Sequence, residues 1–172
     1  MMDETGFWQL VDEAREAAAG DPDEQAEALV DRLLRLTPDE VLDFARQFEA
    51  RFQRAYTVEL WGAAHLLLDG ASEDGFDYFR CWLIGQGRDV FEGAVHEPDA
   101  LAELVPDFDE EEDGDAEELG YAADEAYERL TGLPLPDLGV RQPAAAYGVW
   151  FDFSDKAQLA ARYPRLWELY GD

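Results

Sequence analysis

A chain of 172 residues, 47% apolar and 13% aromatic, has the composition of one folded domain, and at this length roughly 70% of the unfolded surface is buried on folding. That composition excludes a disordered chain. A formal net charge of −28 repels phosphate backbones and anionic lipid alike, so neither nucleic-acid nor membrane binding is expected.

The charge serves solubility, or adaptation to a salty or high-GC lineage, first; the sharper reading is an acidic surface that captures a basic protein partner or mimics nucleic acid. No basic residue precedes Arg15, no apolar run approaches the ~20 residues that cross a bilayer, and the lone Cys81 has no internal partner for a disulfide. A cytoplasmic protein is the expectation.

In chain order, Phe7, Trp8, Leu10, Val11, Ala14, Ala17 and Ala18 recur at helical spacing behind Thr5 as N-cap, with Gly20 closing the segment. Asp21-Pro22-Asp23-Glu24 and Thr37-Pro38-Asp39-Glu40 each place a capping oxygen, a proline at the first helical position and a glutamate three residues after the cap. Two helices are predicted behind them. The second carries the cleanest apolar stripe of the chain, from Val41 through Phe44, Phe48 and Phe52 to Tyr56. Thr57-Val58 interrupts it, Leu60–Leu68 resumes, and Gly70 stops.

Ser72 or Asp74 caps a helix over about 75–86 that ends at Gly87. Two more are predicted over 88–97 and 99–105, separated at Pro98. Asp107–Glu118 holds nine acidic residues and no basic one, so a solvated loop without compact structure is expected. Leu119 to Leu130 forms another helix ended by Gly132. The Pro-spaced Leu133–Gly139 reads as an extended strap. Val149–Phe153 has strand composition but no second strand to pair with, so an irregular segment with Trp150 docked on the bundle is expected. Ser154-Asp155 starts a final helix pair broken at Pro164.

The fold class is therefore all-α, a compact multi-helix bundle with an acidic loop and an extended C-terminal strap. Residues 1–139 form the helical domain and 140–172 an extension packed on it.

The stretch from Trp61 to Arg88 concentrates rare residues: two tryptophans, one of two histidines and the only cysteine. Its second half, Phe76–Ile84, is apolar on nearly every side, the mark of a helix central in its bundle. Asp77 and Arg80 share the remaining sector. Paired with each other under packed rings they are structural; lining a pocket with Trp61, His65 and Arg88, they would bind a carboxylate or phosphate. Candidate binding residues are thus Trp61, His65, Ser72, Asp74, Asp77, Arg80 and Arg88. Cys81 has no activating base near it in sequence and reads as core filling. His65 is expected to be partly buried and His96 exposed.

Two isolated histidines and one cysteine make no zinc pattern, and Ala100 stands where His96-Glu97 would need a second histidine. Asp109, Glu111 and Asp113 imitate the start of a calcium loop with glycine sixth, but position twelve is Gly120 where a bidentate glutamate belongs. They remain a weak metal candidate. No phosphate-binding glycine loop and no nucleophile elbow is present, so neither cofactor nor catalytic residue is assigned.

The blocks Phe7–Arg15 (FWQLVDEAR), Leu60–Ala64 (LWGAA) and Ser72–Arg88 (SEDGFDYFRCWLIGQGR) resemble, in order, a bacterial family common in actinobacteria, the domain of unknown function 4240 family. The resemblance covers about Gly6 to Gly132. It implies a compact helical domain, transfers no reaction, and makes the residues after Gly139 a variable extension. The family's preference for an aromatic residue at the position of His65 argues against a catalytic role there.

The leading functional expectation is a protein-binding or regulatory module acting through its acidic surface. The alternative is a small-molecule-binding protein or enzyme with a pocket near Trp61, Asp77, Arg80 and Arg88. No coiled-coil heptads argue for a particular oligomer.

Overall fold

The computed structural model describes residues 2–172. Its regular structure is helical, with no strand among the described residues and one isolated parallel bridge between Thr57 and Tyr147. The all-α bundle is what the helical periodicities predict.

Helix α1 (Glu4–Ala18) starts two residues earlier than the expected cap at Thr5 allows. Asp3, not Thr5, is the N-cap and accepts from the Gly6 amide at 2.8 Å. Both residues can cap, and only the backbone's entry into the helix decides between them. The helix closes on Ala19, which takes a left-handed φ of 51° ahead of Gly20. Helix α2 (Pro22–Leu33) is capped by Asp21 and α3 (Pro38–Arg54) by the complete reciprocal box of Thr37 and Glu40. These caps are local chemistry and follow directly from the sequence.

Thr57 does more than interrupt the pattern: its hydroxyl accepts from the Leu60 amide at 3.1 Å and opens α4 (Val58–Leu67). Ser72 caps α5 (Glu73–Gly85) in the same way. Helix α5 packs against α1, α2, α3, α4, the following α6 (Arg88–His96) and α8 (Glu117–Gly120). Its buried residues include Phe76, Phe79, Arg80, Trp82, Leu83 and Ile84. Such enclosure requires apolar residues on every side, and that is the composition α5 has.

A 3-10 turn (Pro98–Ala100) leads into the short α7 (Leu101–Leu104). The acidic run that follows is less open than its charge suggests. Asp109 and Asp113 close a turn through each other's backbone, while Gly114 and Ala116 are buried, and α8 begins within the run at Glu117. Burying Ala116 and Leu119 against α5, and Gly114 beneath Leu68 and Phe108, outweighs repulsion between side chains that still point to water. Helix α9 (Ala122–Thr131) then packs on α2 and α3 and ends at Gly132 in the left-handed region.

Residues 133–155 carry no helix. Two short helices, α10 (Lys156–Arg162) and α11 (Pro164–Tyr170), return to the bundle, where α11 meets α4, the 3-10 turn and α7. Asp155 supplies the α10 cap. Tyr163 is fully buried and its phenol donates to the Glu59 carbonyl at 2.7 Å. Gly62 makes this seat: a β-carbon there would stand 2.3 Å from the Tyr163 hydroxyl oxygen. Asp99, itself buried, accepts from the first amides of α11, Arg165 at 3.1 Å and Leu166 at 2.9 Å. One carboxylate of the bundle thus caps a helix of the extension.

Candidate functional site

The seven candidate residues fall into three surroundings. The first is the interior around Arg80, whose residue is only 3% exposed. Its guanidinium donates to the Asp77 carboxylate and, at 2.7 Å, to the carbonyl of Phe52 in the last turn of α3. It lies over the rings of Phe52, Tyr56 and Phe76, at 3.8, 4.5 and 5.0 Å from their centroids. Burial lowers its pKa, and the Asp77 carboxylate opposes that shift. An arginine so occupied ties α3 to α5 and has no fork free for a substrate carboxylate.

The second surrounding is the α4–α5 corner. Trp61 stacks on Phe76 at 5.0 Å and donates from its indole to the Ala71 carbonyl at 2.9 Å. Ser72 is spent on its capping bond, and Asp74 is exposed in the first turn of α5. Half-buried His65 faces the Phe153 ring at 5.5 Å; burial lowers its pKa against a weaker opposing pull from Asp69. Trp150 meets Trp61 edge-on at 4.9 Å, so the irregular segment docks as the strand argument predicts, with its outer half exposed.

Arg88 belongs to neither. It pairs with Glu4 at 3.6 Å and lines a cleft with residues of α1. The pocket envisaged for Trp61, Asp77, Arg80 and Arg88 is therefore divided: Asp77 and Arg80 satisfy each other, and Arg88 opens toward another face.

Asp77 also borders a cleft of ≈ 280 Å³ that the sequence does not announce. Helix α3 contributes Phe48, Glu49 and Phe52 to it, and α5 contributes Asp77, Tyr78 and Cys81. Glu117 and Gly120 of α8, then Tyr121 and Asp124, complete the rim. Its lining combines four aromatic rings, the thiol and four carboxylates. Burial raises the pKa of Asp124; a backbone hydrogen bond opposes that rise and the nearby charge of Glu49 adds to it. Cys81 is buried, and desolvation pushes its thiol up to about 12, so the sulfur is protonated and unreactive at neutral pH.

Among the described residues, no group of three or more His, Cys, Asp or Glu side chains is arranged to hold a metal ion. Asp109 and Asp113 spend carboxylate oxygens on backbone amides within their own turn, with Glu111 supplying one of those amides.

The sequence profile described as Protein of unknown function (DUF4240) matches residues 2–129. The chain belongs to this family. The DUF4240 match takes in α1 through most of α9, including the Arg80 node and every residue of the ≈ 280 Å³ cleft, and leaves the C-terminal extension outside. No curated protein and no solved structure matches the chain. Among the described residues no helix is long and apolar enough to cross a membrane.

Proposed function

We propose that this DUF4240 chain is a bacterial, cytoplasmic binding or regulatory module that engages a basic protein through its acidic surface. One observation carries the reading: Tyr147, Val149 and Trp150 stand 82%, 83% and 52% exposed in a single four-residue stretch. Large apolar side chains grouped on a water-facing segment mark contact sites, and Tyr and Trp are the residues on which interfaces concentrate their energy. The chain as a whole carries a net charge of −28, which steers a positively charged partner and repels other acidic chains.

The segment is held from behind. The Tyr147 amide donates to the Tyr56 carbonyl and its carbonyl accepts from Val58, both at 2.9 Å. Its backbone is fixed while its side chains remain free, so little order need be lost on binding.

The test is affinity capture from the native lysate at two salt concentrations, with the wild-type chain and a Tyr147→Ser/Val149→Ser variant. A stoichiometric basic partner is expected, weaker at higher salt, and lost by about tenfold or more in the variant. Absence of a partner, or capture indifferent to both the salt and the substitutions, would end this reading.

A further inference from the structure

The geometry points to a seat for the ammonium and carboxylate of a free α-amino acid in the cleft between α1 and the start of α6. This site lies apart from the exposed segment of Tyr147, Val149 and Trp150 and does not depend on a basic partner.

The donors come first. Helix α6 follows Gly87, whose φ of 101° favours glycine, and no side chain caps it. The amides of Arg88, Asp89 and Val90 therefore have no partner among the described residues, and such a terminus attracts an anion. Two arginines line the same cleft. Arg88 reaches Glu4 only at 3.6 Å and Arg15 reaches Asp12 only at 3.4 Å, so both guanidiniums keep N–H groups to give.

A second feature is independent of the helix. Trp8 is 3% exposed and borders the cleft, yet its indole N–H finds no acceptor. The Nε of Arg15 is likewise buried without one. Of the four buried side-chain polar atoms left unpartnered among the described residues, these two belong to the lining of this cleft, and both are donors. Buried donors are seldom left unsatisfied, and the group that would satisfy these is an acceptor brought from outside, a carboxylate.

The acids of the lining select the rest of the ligand. Asp12 and Glu16 lie four apart on one face of α1. An Asp12 carboxylate oxygen and an Arg15 guanidinium nitrogen both crowd Gly87, at 3.0 and 3.5 Å from where its β-carbon would stand. Opposite charges this close repel a second negative charge on the ligand and favour one whose cation sits one carbon from its carboxylate. That is the main chain of an α-amino acid, its ammonium toward Asp12 and Glu16 and its carboxylate toward the α6 amides and Arg88. At ≈ 710 Å³ the cleft falls within the roughly 300–1,000 Å³ of small-molecule pockets and leaves room for a side chain.

The experiment is a nitrogen–proton chemical-shift titration of the full chain with L-valine at matched ionic strength. Its comparisons are two fragments of valine, isovalerate without the ammonium and isobutylamine without the carboxylate, together with inorganic phosphate. Of the five indole resonances, only that of Trp8 should move with valine, along with the amides of Gly87, Arg88, Asp89 and Val90. Each fragment and phosphate should bind about tenfold more weakly or worse. Arg88→Gln and Asp12→Asn should each weaken valine binding about tenfold, while Arg141→Gln, which removes an exposed arginine outside the cleft, should leave it unchanged. A Trp8 indole that stays still under valine would overturn the assignment. So would isovalerate or phosphate binding as well as valine, or Arg141→Gln weakening it as much as Arg88→Gln.

Discussion

Arg80 holds the largest share of polar risk in the bundle, because a guanidinium removed from water must find its donors' partners nearby. It finds two, the Asp77 carboxylate and the Phe52 carbonyl, and its Nε finds none. The two partners are unequal. Asp77 keeps a 40% exposed side chain and can be rehydrated, whereas Phe52 offers a carbonyl that would lose its donor beneath packed rings. Arg80→Met should therefore cost about 2–4 kcal/mol of unfolding free energy and Asp77→Asn about 1 kcal/mol, measured by urea denaturation. Equal costs would mean that the ion pair, and not the link to α3, is what holds Arg80. The Asp77–Arg80 pairing was legible from their spacing of three on one helix. Phe52 was not, since 28 residues separate it from Arg80 and only the packing of α3 against α5 joins them.

Among the elements, local chemistry was readable and long-range assembly was not. The proline-led caps of α2 and α3 and the all-round apolar surface of α5 are properties of consecutive residues, and each appears as the sequence implies. The ≈ 280 Å³ cleft brings together side chains from four helices over a span from Phe48 to Asp124, and no periodicity within one helix encodes that meeting. The same holds where the bundle receives its extension. Asp99 caps α11 from across the fold, and Gly62 leaves room for Tyr163. Asp99→Ala removes the cap and should cost about 1–2 kcal/mol. Gly62→Ala forces Tyr163 from its seat and should cost about 1–3 kcal/mol. In both variants trypsin should cut at Arg162 and Arg165 faster than in the wild type, while the Arg80 region stays protected; protection of both arginines would show that α11 is anchored elsewhere.

At the scale of the whole molecule the dominant quantity is self-repulsion. A chain with 41 acidic and 13 basic side chains compresses like charges when it folds, and salt relieves this by screening exposed groups beyond the Debye length. The ion pairs that salt would weaken are mostly exposed and individually worth little. Raising NaCl from 10 mM to 0.5 M should therefore increase the midpoint of thermal unfolding, by roughly 5 °C if about 2 kcal/mol of repulsion is relieved. A falling midpoint would show that the ion pairs outweigh the repulsion. Composition alone foretold the sign of this charge. It could not foretell that the densest acidic run turns inward far enough to bury Gly114 and Ala116 and to start α8, because that depends on which small residues meet α5 and its neighbours.

The edge-on meeting of Trp61 and Trp150, ring centres 4.9 Å apart and planes at 63°, joins an indole of the family domain to one of the extension. Two chromophores that close and that inclined share their excited states, so the folded molecule should carry an exciton couplet in its circular dichroism. The signal belongs to the docked arrangement alone. It makes the protein its own optical gauge of whether the C-terminal segment is seated, readable in solution without a label.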